Sequence, residues 1–350
     1  MTPTIAVLLI ITFLLSTVGL LLLIWSIANN QFSHGQKSAR TIFSPGEEGI
    51  GEDPAEAPQR QKQELSDAEY RARYDADQSS RLATLSWLSS SVFWLLLGSA
   101  YGLLSSAKMH MPELLANSEF LTFGRVRPMH LNAVTYGWAS MAGIAIALFL
   151  IPRLFKTRLA GGRFAVIGAV IWNIGLVLGL GAINLGLSDG KEWLEFPWQV
   201  DLLFVAGGAL AAVPLLLTAK QRTVSHLYVT SWYFLAALVW FPFLFLIANL
   251  PYVFPGTSGA TVNWWFAHNV LGLWVTPIGI GIAYYMIPKI LGRPIISYQL
   301  SLIGFWSLAL FYSQVGIHHL VGGPIPTWLV TLSIVHSVMM SIPVITVAIN

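Results

Sequence analysis

The chain has 350 residues, of which 55% are hydrophobic and 10% charged, with a formal net charge of +3. A typical soluble domain carries about 25% charged residues, so an ordinary soluble domain is excluded, and the small basic excess sits in loops, as membrane topology requires, rather than in a nucleic-acid-binding patch. There is no cysteine, which rules out disulfides, cysteine-bound zinc and iron–sulfur clusters in this chain.

A first apolar run near 5–27 lacks a basic leader and a small-residue cleavage site, and reads as a retained span. Residues 28–81 differ in kind. Pro45, Gly46, Glu47, Glu48, Gly49 and Gly51 precede a charge-dense stretch from Glu52 to Arg81, and no apolar period runs through it. It reads as a solvated linker, with a helix expected over 58–75, between a lone anchor (1–27) and a core (82–350). Eight further apolar runs follow, near 82–106, 129–152, 163–186, 199–218, 227–250, 264–288, 299–320 and 328–350. Each approaches the roughly 20 residues that cross a bilayer. The expected fold is all-α, a polytopic bundle of about nine spans.

Lys and Arg gather at 37–81, at 153–163, at Lys220 and Arg222, and at Lys289 and Arg293. The alternate loops near 187–198, 251–263 and 321–327 hold one Lys and no Arg, although the loop 107–128 has Lys108, Arg125 and Arg127. The positive-inside rule puts the N-terminus outside and the linker in the cytoplasm.

That orientation brings His130, His268, His318 and His319 to one outer level, within roughly 10 Å of each other in depth. Intramembrane imidazoles are functional candidates, and several at one depth suggest a transition metal. His34, His110 and His226 lie in loops and read as solvated, whereas His336 is either a hydrogen-bonded core histidine or part of a polar path.

Four segments carry the chemistry. In Asn263-Trp264-Trp265-Phe266-Ala267-His268-Asn269 one imidazole follows an aromatic collar, which could equally be an interfacial belt. In Tyr312-Ser313-Gln314-Val315-Gly316-Ile317-His318-His319, adjacent histidines point about 100° apart on a regular helix. They could share a metal only where the helix loosens, near Gly316, Gly322, Gly323 and Pro324. Tyr312, seven residues before His319, would lie on its face about 10 Å deeper, able to donate a hydrogen atom or a proton. Thr276, Tyr284, Tyr285 and Lys289 continue inward from His268, as a water chain would require, though the tyrosines also suit a belt.

In Arg125-Val126-Arg127-Pro128-Met129-His130 an imidazole opens a span beside two guanidiniums, as an axial haem ligand near propionates would, or as a helix start near headgroups. The outer loop from Lys191 to Asp201, with Glu192 and Glu195, could bind calcium or be a solvated acidic loop.

These motifs, with Tyr284-Tyr285-Met286-Ile287-Pro288-Lys289 and Gly292-Arg293-Pro294, resemble in order over about 125–350 the catalytic subunit of the C-family, cbb3-type haem–copper oxidases. The resemblance implies a terminal oxidase that reduces O2 to water with electrons from cytochrome c and pumps protons. It implies copper B on His268, His318 and His319, with Tyr312 as the redox tyrosine, cross-linked to the first copper ligand. His130 would be an axial ligand of low-spin haem b, and Arg125 and Arg127 would face haem propionates. Glu192 and Glu195 would help hold calcium, and Thr276 and Tyr285 would belong to the single proton path. Implied partners are membrane-anchored c-type cytochrome subunits, in a bacterial inner membrane. Residues 1–55, with Trp25, Gln31-Phe32, Ala39-Arg40 and Ile42-Phe43, resemble the single-span maturation protein of the same oxidase.

The family ligates the high-spin haem b3 and completes the low-spin site from a later His-x-His helix. No His-x-His occurs in this sequence, which ends at Asn350, so a C-terminally incomplete core is expected. A nitric oxide reductase, which keeps three histidines at its non-haem metal but lacks the tyrosine, is one alternative. A non-catalytic assembly factor or degenerate paralogue is another.

Overall fold

The computed structural model describes residues 3–33, 35–49, 65–250 and 253–350. Among them there is no strand, and eight helices are long and apolar enough to cross a membrane. A bilayer core offers no water to backbone N–H and C=O groups, and a helix satisfies them within one segment.

The helices, in chain order, are α1 (Pro3–Ala28), the short α2 (Gly35–Ala39), α3 (Asp67–His110), α4 (Phe123–Leu154), α5 (Gly162–Asn184), α6 (Trp198–Lys220), α7 (Val229–Ala248), α8 (Thr257–Leu291), α9 (Tyr298–Leu320) and α10 (Thr327–Ile349). From α3 onward, successive spans pack mainly on their chain neighbours. α3 shows how sequence chooses faces. Ala83, Trp87, Trp94 and Gly98 are buried, whereas Leu82, Leu85, Leu96 and Leu103 are exposed as a lipid-facing stripe. Small residues bring α5 and α6 together, as is usual between membrane helices. A Cβ on Gly168 would stand 2.8 Å from the Gly207 carbonyl oxygen. At the centre, Tyr136, Trp172, Phe204, Phe241 and Phe245 form an aromatic cluster with ring centroids 4.6–6.1 Å apart.

Two helices depart from α geometry at matching places. α4 has a π-helical segment at Ala133–Ala139, three residues after His130, and α8 has one at Val270–Val275, two after His268. The two face one another, for Trp274 Nε1 donates to Ser140 Oγ at 2.8 Å.

The segment expected to be a solvated linker is in part docked. Gln31, Ser38, Ala39, Ile42 and Glu47 are buried. Gln31 donates to the Ser225 carbonyl at 3.0 Å and accepts from the Leu227 N–H at 3.0 Å. The physical reason is that its few apolar and amide side chains are spaced to fit a loop surface, which leaves no helical or strand period. α3 also begins well before 82: Ser66 caps it, with Glu69 closing a capping box. The expected helix over 58–75 is therefore seen from Asp67 on, and 58–64 lie outside the described residues. His226 is not simply solvated: its Nε2 lies 3.0 Å from the Ser33 carbonyl and its ring packs against Tyr298. His110 is exposed at the end of α3, and His34 lies outside the described residues.

Candidate metal centre

The centre is built where α8 crosses α9. α9 is α-helical to Phe311 and then winds as a 3-10 helix over Tyr312–Leu320. The expected loosening near Gly316 is thus a tightening. With three residues per turn, Tyr312 falls into column with His318, and His319 is turned by a third of a circle, rather than sharing the Tyr312 face. Close approach to α8 explains the change. A Cβ on Gly316 would lie 2.6 Å from the Trp264 carbonyl oxygen and 2.8 Å from His268 Cβ, so only glycine admits this contact.

The crossing gathers three imidazoles. One ring nitrogen from each of His268, His318 and His319 lies within 4.8 Å of the others, and this is the one such group of three among the described residues. His268 Nδ1 and His319 Nε2 are 3.0 Å apart. Two nitrogens bound tetrahedrally to one metal with bonds near 2 Å would stand about 3.3 Å apart, so the donor set fits a single ion. Neutral imidazoles suit copper or zinc.

Outer contacts fix these rings. Ser337 Oγ donates to the Ser333 carbonyl at 2.7 Å, so its oxygen is left to accept from His318 Nδ1 at 2.9 Å. His318 Nε2 then carries the free lone pair. The indole of Trp264 stacks on His319, with centroids 4.5 Å apart and planes at 23°. The phenol ring of Tyr312 stacks on His268 at 5.0 Å and 24°, and lies over Gly272, where a Cβ would overlap it.

On α4, His130 Nδ1 lies 2.8 Å from the Gly98 carbonyl, which can only accept. The ring therefore keeps its Nε2 lone pair. Gly102 gives it room, because a Cβ there would be 2.7 Å from His130 Cε1. His336 likewise hydrogen-bonds the Phe311 carbonyl through Nδ1 at 2.9 Å, the first of the two roles expected for it.

Residues 83–350 match the family model of cytochrome c and quinol oxidase polypeptide I. The chain belongs to this family. It is similar to the cbb3-type cytochrome c oxidase subunit CcoN1 of Stutzerimonas stutzeri, at 31% identity over 262 residues, covering 72% of this chain and 55% of that protein. It is 32% identical over 271 residues to cytochrome c oxidase subunit 1 of Rhodobacter capsulatus, covering 73% and 50%. It is 33% identical over 267 residues to the bacteroid cytochrome c oxidase subunit 1 homolog of Bradyrhizobium diazoefficiens, covering 72% and 48%. The chain spans about half the length of the curated relatives it matches. It is a multi-pass membrane protein of the haem–copper oxidase subunit I type, and membership implies haem and copper as cofactors.

The remaining candidates are placed less simply. Arg125 donates to the Asn184 carbonyl at 2.8 Å, and Arg127 pairs with Glu192 at 3.7 Å. Glu192 is also clamped by Asn263, which accepts from its N–H at 3.1 Å and donates to its carbonyl at 2.9 Å. Glu195 is buried and accepts from Asn132 Nδ2 at 2.9 Å and from the Trp193 N–H at 3.3 Å. Burial holds its carboxyl above the ordinary carboxylate range, against the opposing pull of the Asn132 hydrogen bond. Glu192 and Glu195 join no third acidic or histidine ligand among the described residues.

Thr276 is half-buried and begins the α-helical part of α8 that follows the π-helical segment. Tyr285 is buried near the Arg153 guanidinium, which grips Asp77 in a two-pronged pair at 2.5 and 2.7 Å. One turn further along α8, Lys289 is buried in an ion pair with Glu47. Sequence reasoning passed over Ser337, Asn263, Asp77 and Glu47 as functional partners. A serine 19 residues past a histidine, or a carboxylate 242 before a lysine, forms no local pattern.

Proposed function

We propose that the chain is the copper-binding part of a cbb3-type cytochrome c oxidase that reduces O2 to water and couples this to proton translocation. The observation that carries the reading is the convergence of His268 Nδ1, His318 and His319 Nε2 beside the stacked Tyr312 ring. These imidazoles would hold copper B, which supplies one-electron redox chemistry where O2 is reduced. Tyr312 holds a proton at its hydroxyl within reach of the same pocket, and its ring on His268 supports an oxidase over a nitric oxide reductase. Ser337 orients His318. Tyr285 and Thr276 would relay protons outward along α8.

His130 Nε2 would be one axial ligand of low-spin haem b, with Arg125 and Arg127 on the same helix turn as the cationic partners of its propionates. No His-x-His pair occurs in the sequence, so no residue here is assigned to the high-spin haem, and no step is derived through it. The loop charges support a periplasmic N-terminus in a bacterial inner membrane, with c-type cytochrome subunits as partners. Residues 1–27 would be an anchor, and 28–81 a cytoplasmic segment that links it to the core.

The test is metal content and oxygen uptake of the assembled oxidase carrying this chain. The expected result is copper that is lost in His268→Ala, His318→Ala and His319→Ala alike. Retention of copper in all three would end the reading.

A further inference from the structure

The matched family region starts at residue 83, yet two acidic residues before it bear on the inner end of α8, Glu47 directly through Lys289 and Asp77 by way of Arg153. Glu47 is buried against Lys289, with both side chains 6% exposed. The same carboxylate oxygen accepts from the Ser44 N–H at 2.6 Å, so the turn that carries Glu47 is folded around the pair. The Lys289 ammonium also lies 5.6 Å from the centre of the Phe43 ring. Gly49 N–H donates to the Gly292 carbonyl at 2.7 Å, and Gln36 to that of Ile296 at 3.2 Å. Lys289 follows Tyr285 by four residues, on the same helix face one turn on. Asp77 holds the Arg153 guanidinium that lies beside Tyr285.

A buried ion pair adds little net stability over apolar packing, but removing one partner strands the other charge. Such a pair makes a two-state fastener, either closed or forced open. We infer that residues 35–49 are a lid, latched by Glu47 on Lys289, that closes the inner end of α8 over Tyr285. Tyr285 can exchange protons with bulk water only when the latch opens. This rests on the reading of Tyr285 as part of the proton path, but the closure can be measured without turnover.

The chain has no cysteine, so one introduced thiol reports alone. In the assembled protein in detergent, Tyr285→Cys should react slowly with a hydrophilic maleimide. Adding Glu47→Lys should speed labelling about tenfold or more, because two cations cannot share the buried site. Adding Lys289→Glu as well should restore protection. Unchanged labelling in Glu47→Lys, or no recovery in the charge swap, would overturn the lid. As a second measurement, Glu47→Cys with Lys289→Cys should be bridged by a short thiol cross-linker in most chains, and no bridging would equally overturn it. A lid that behaves as described while Tyr285→Phe leaves oxygen uptake intact would retire the proton path alone.

Discussion

His268 Nδ1 and His319 Nε2 face each other across 3.0 Å, although the residues stand 51 apart in sequence. The contact makes α8 and α9 a single unit, and it places the metal reading on two helices rather than on one His-His motif. Ser337, which accepts from His318, should then matter without touching metal. Ser337→Ala should lower copper affinity about 10–100-fold, measured by competition with a chelator, whereas Ser307→Ala, half-buried on α9 and bonded to the carbonyls of its own helix at Ile303 and Gly304, should leave it unchanged. Equal affinities in the two variants would remove Ser337 from the site.

Tyr312 contributes a ring stack and a hydroxyl. Tyr312→Phe keeps the stack on His268 and deletes only the hydroxyl. Copper content should stay at the parent level while oxygen reduction by the assembled oxidase falls roughly 10²–10⁴-fold. Normal turnover would show that the hydroxyl is not the proton donor.

Glycines in α8 should divide sharply by position. An added methyl at Gly272 would overlap the Tyr312 ring, whereas Gly279 has nothing within 4 Å. Gly272→Ala should cost about 1–3 kcal/mol by overpacking and shift the Tyr312 environment. Gly279→Ala should be neutral or slightly stabilising, since alanine favours a helix by about 1 kcal/mol over glycine. Thermal unfolding in one detergent compares them, and a harmless Gly272→Ala would mean the ring does not rest there.

Glu195 gives a pH-dependent expectation. Burial raises its carboxyl in the folded state, so the ionised form is disfavoured by folding. Stability from this group is therefore greatest when it is protonated, and declines as pH rises through the folded value. Glu195→Gln keeps an acceptor for Asn132 and removes the charge. It should raise the unfolding midpoint at mildly alkaline pH, with the gain shrinking as pH falls. A gain that grows on acidification would reverse the assignment.

Topology is checked from the loop after Lys220. A reporter inserted there should respond only to a cytoplasm-specific assay. A periplasmic signal would invert the map and move the histidine level to the opposite face.

How far the sequence carried the fold and the centre depended on the kind of signal. Apolar run length gave the spans because a bilayer imposes one length on every helix. His268, His318 and His319 stood out because imidazoles in hydrocarbon are costly. The winding of α9 did not show, since Tyr312–Leu320 reads as an ordinary apolar helix until Gly316 meets the α8 backbone. Neither did the π-helical segments after His130 and His268, where Gly137 and Gly272 were the sole local hints. The pairing of Glu47 with Lys289 was invisible for another reason. A charge-dense stretch looks solvated until the partner that buries one of its members is known.

The π-helical segments also have a consequence for chain length. Each accommodates one residue more than a regular helix would in the same rise. Dropping one residue within 270–275 could be absorbed there, leaving His268 and Lys289 on their present faces. The same deletion between Thr276 and Tyr284 would swing Lys289 by about 100° and part it from Glu47. Single-residue length variation in α4 and α8 should therefore be tolerated at these two places and rejected along the rest of both helices.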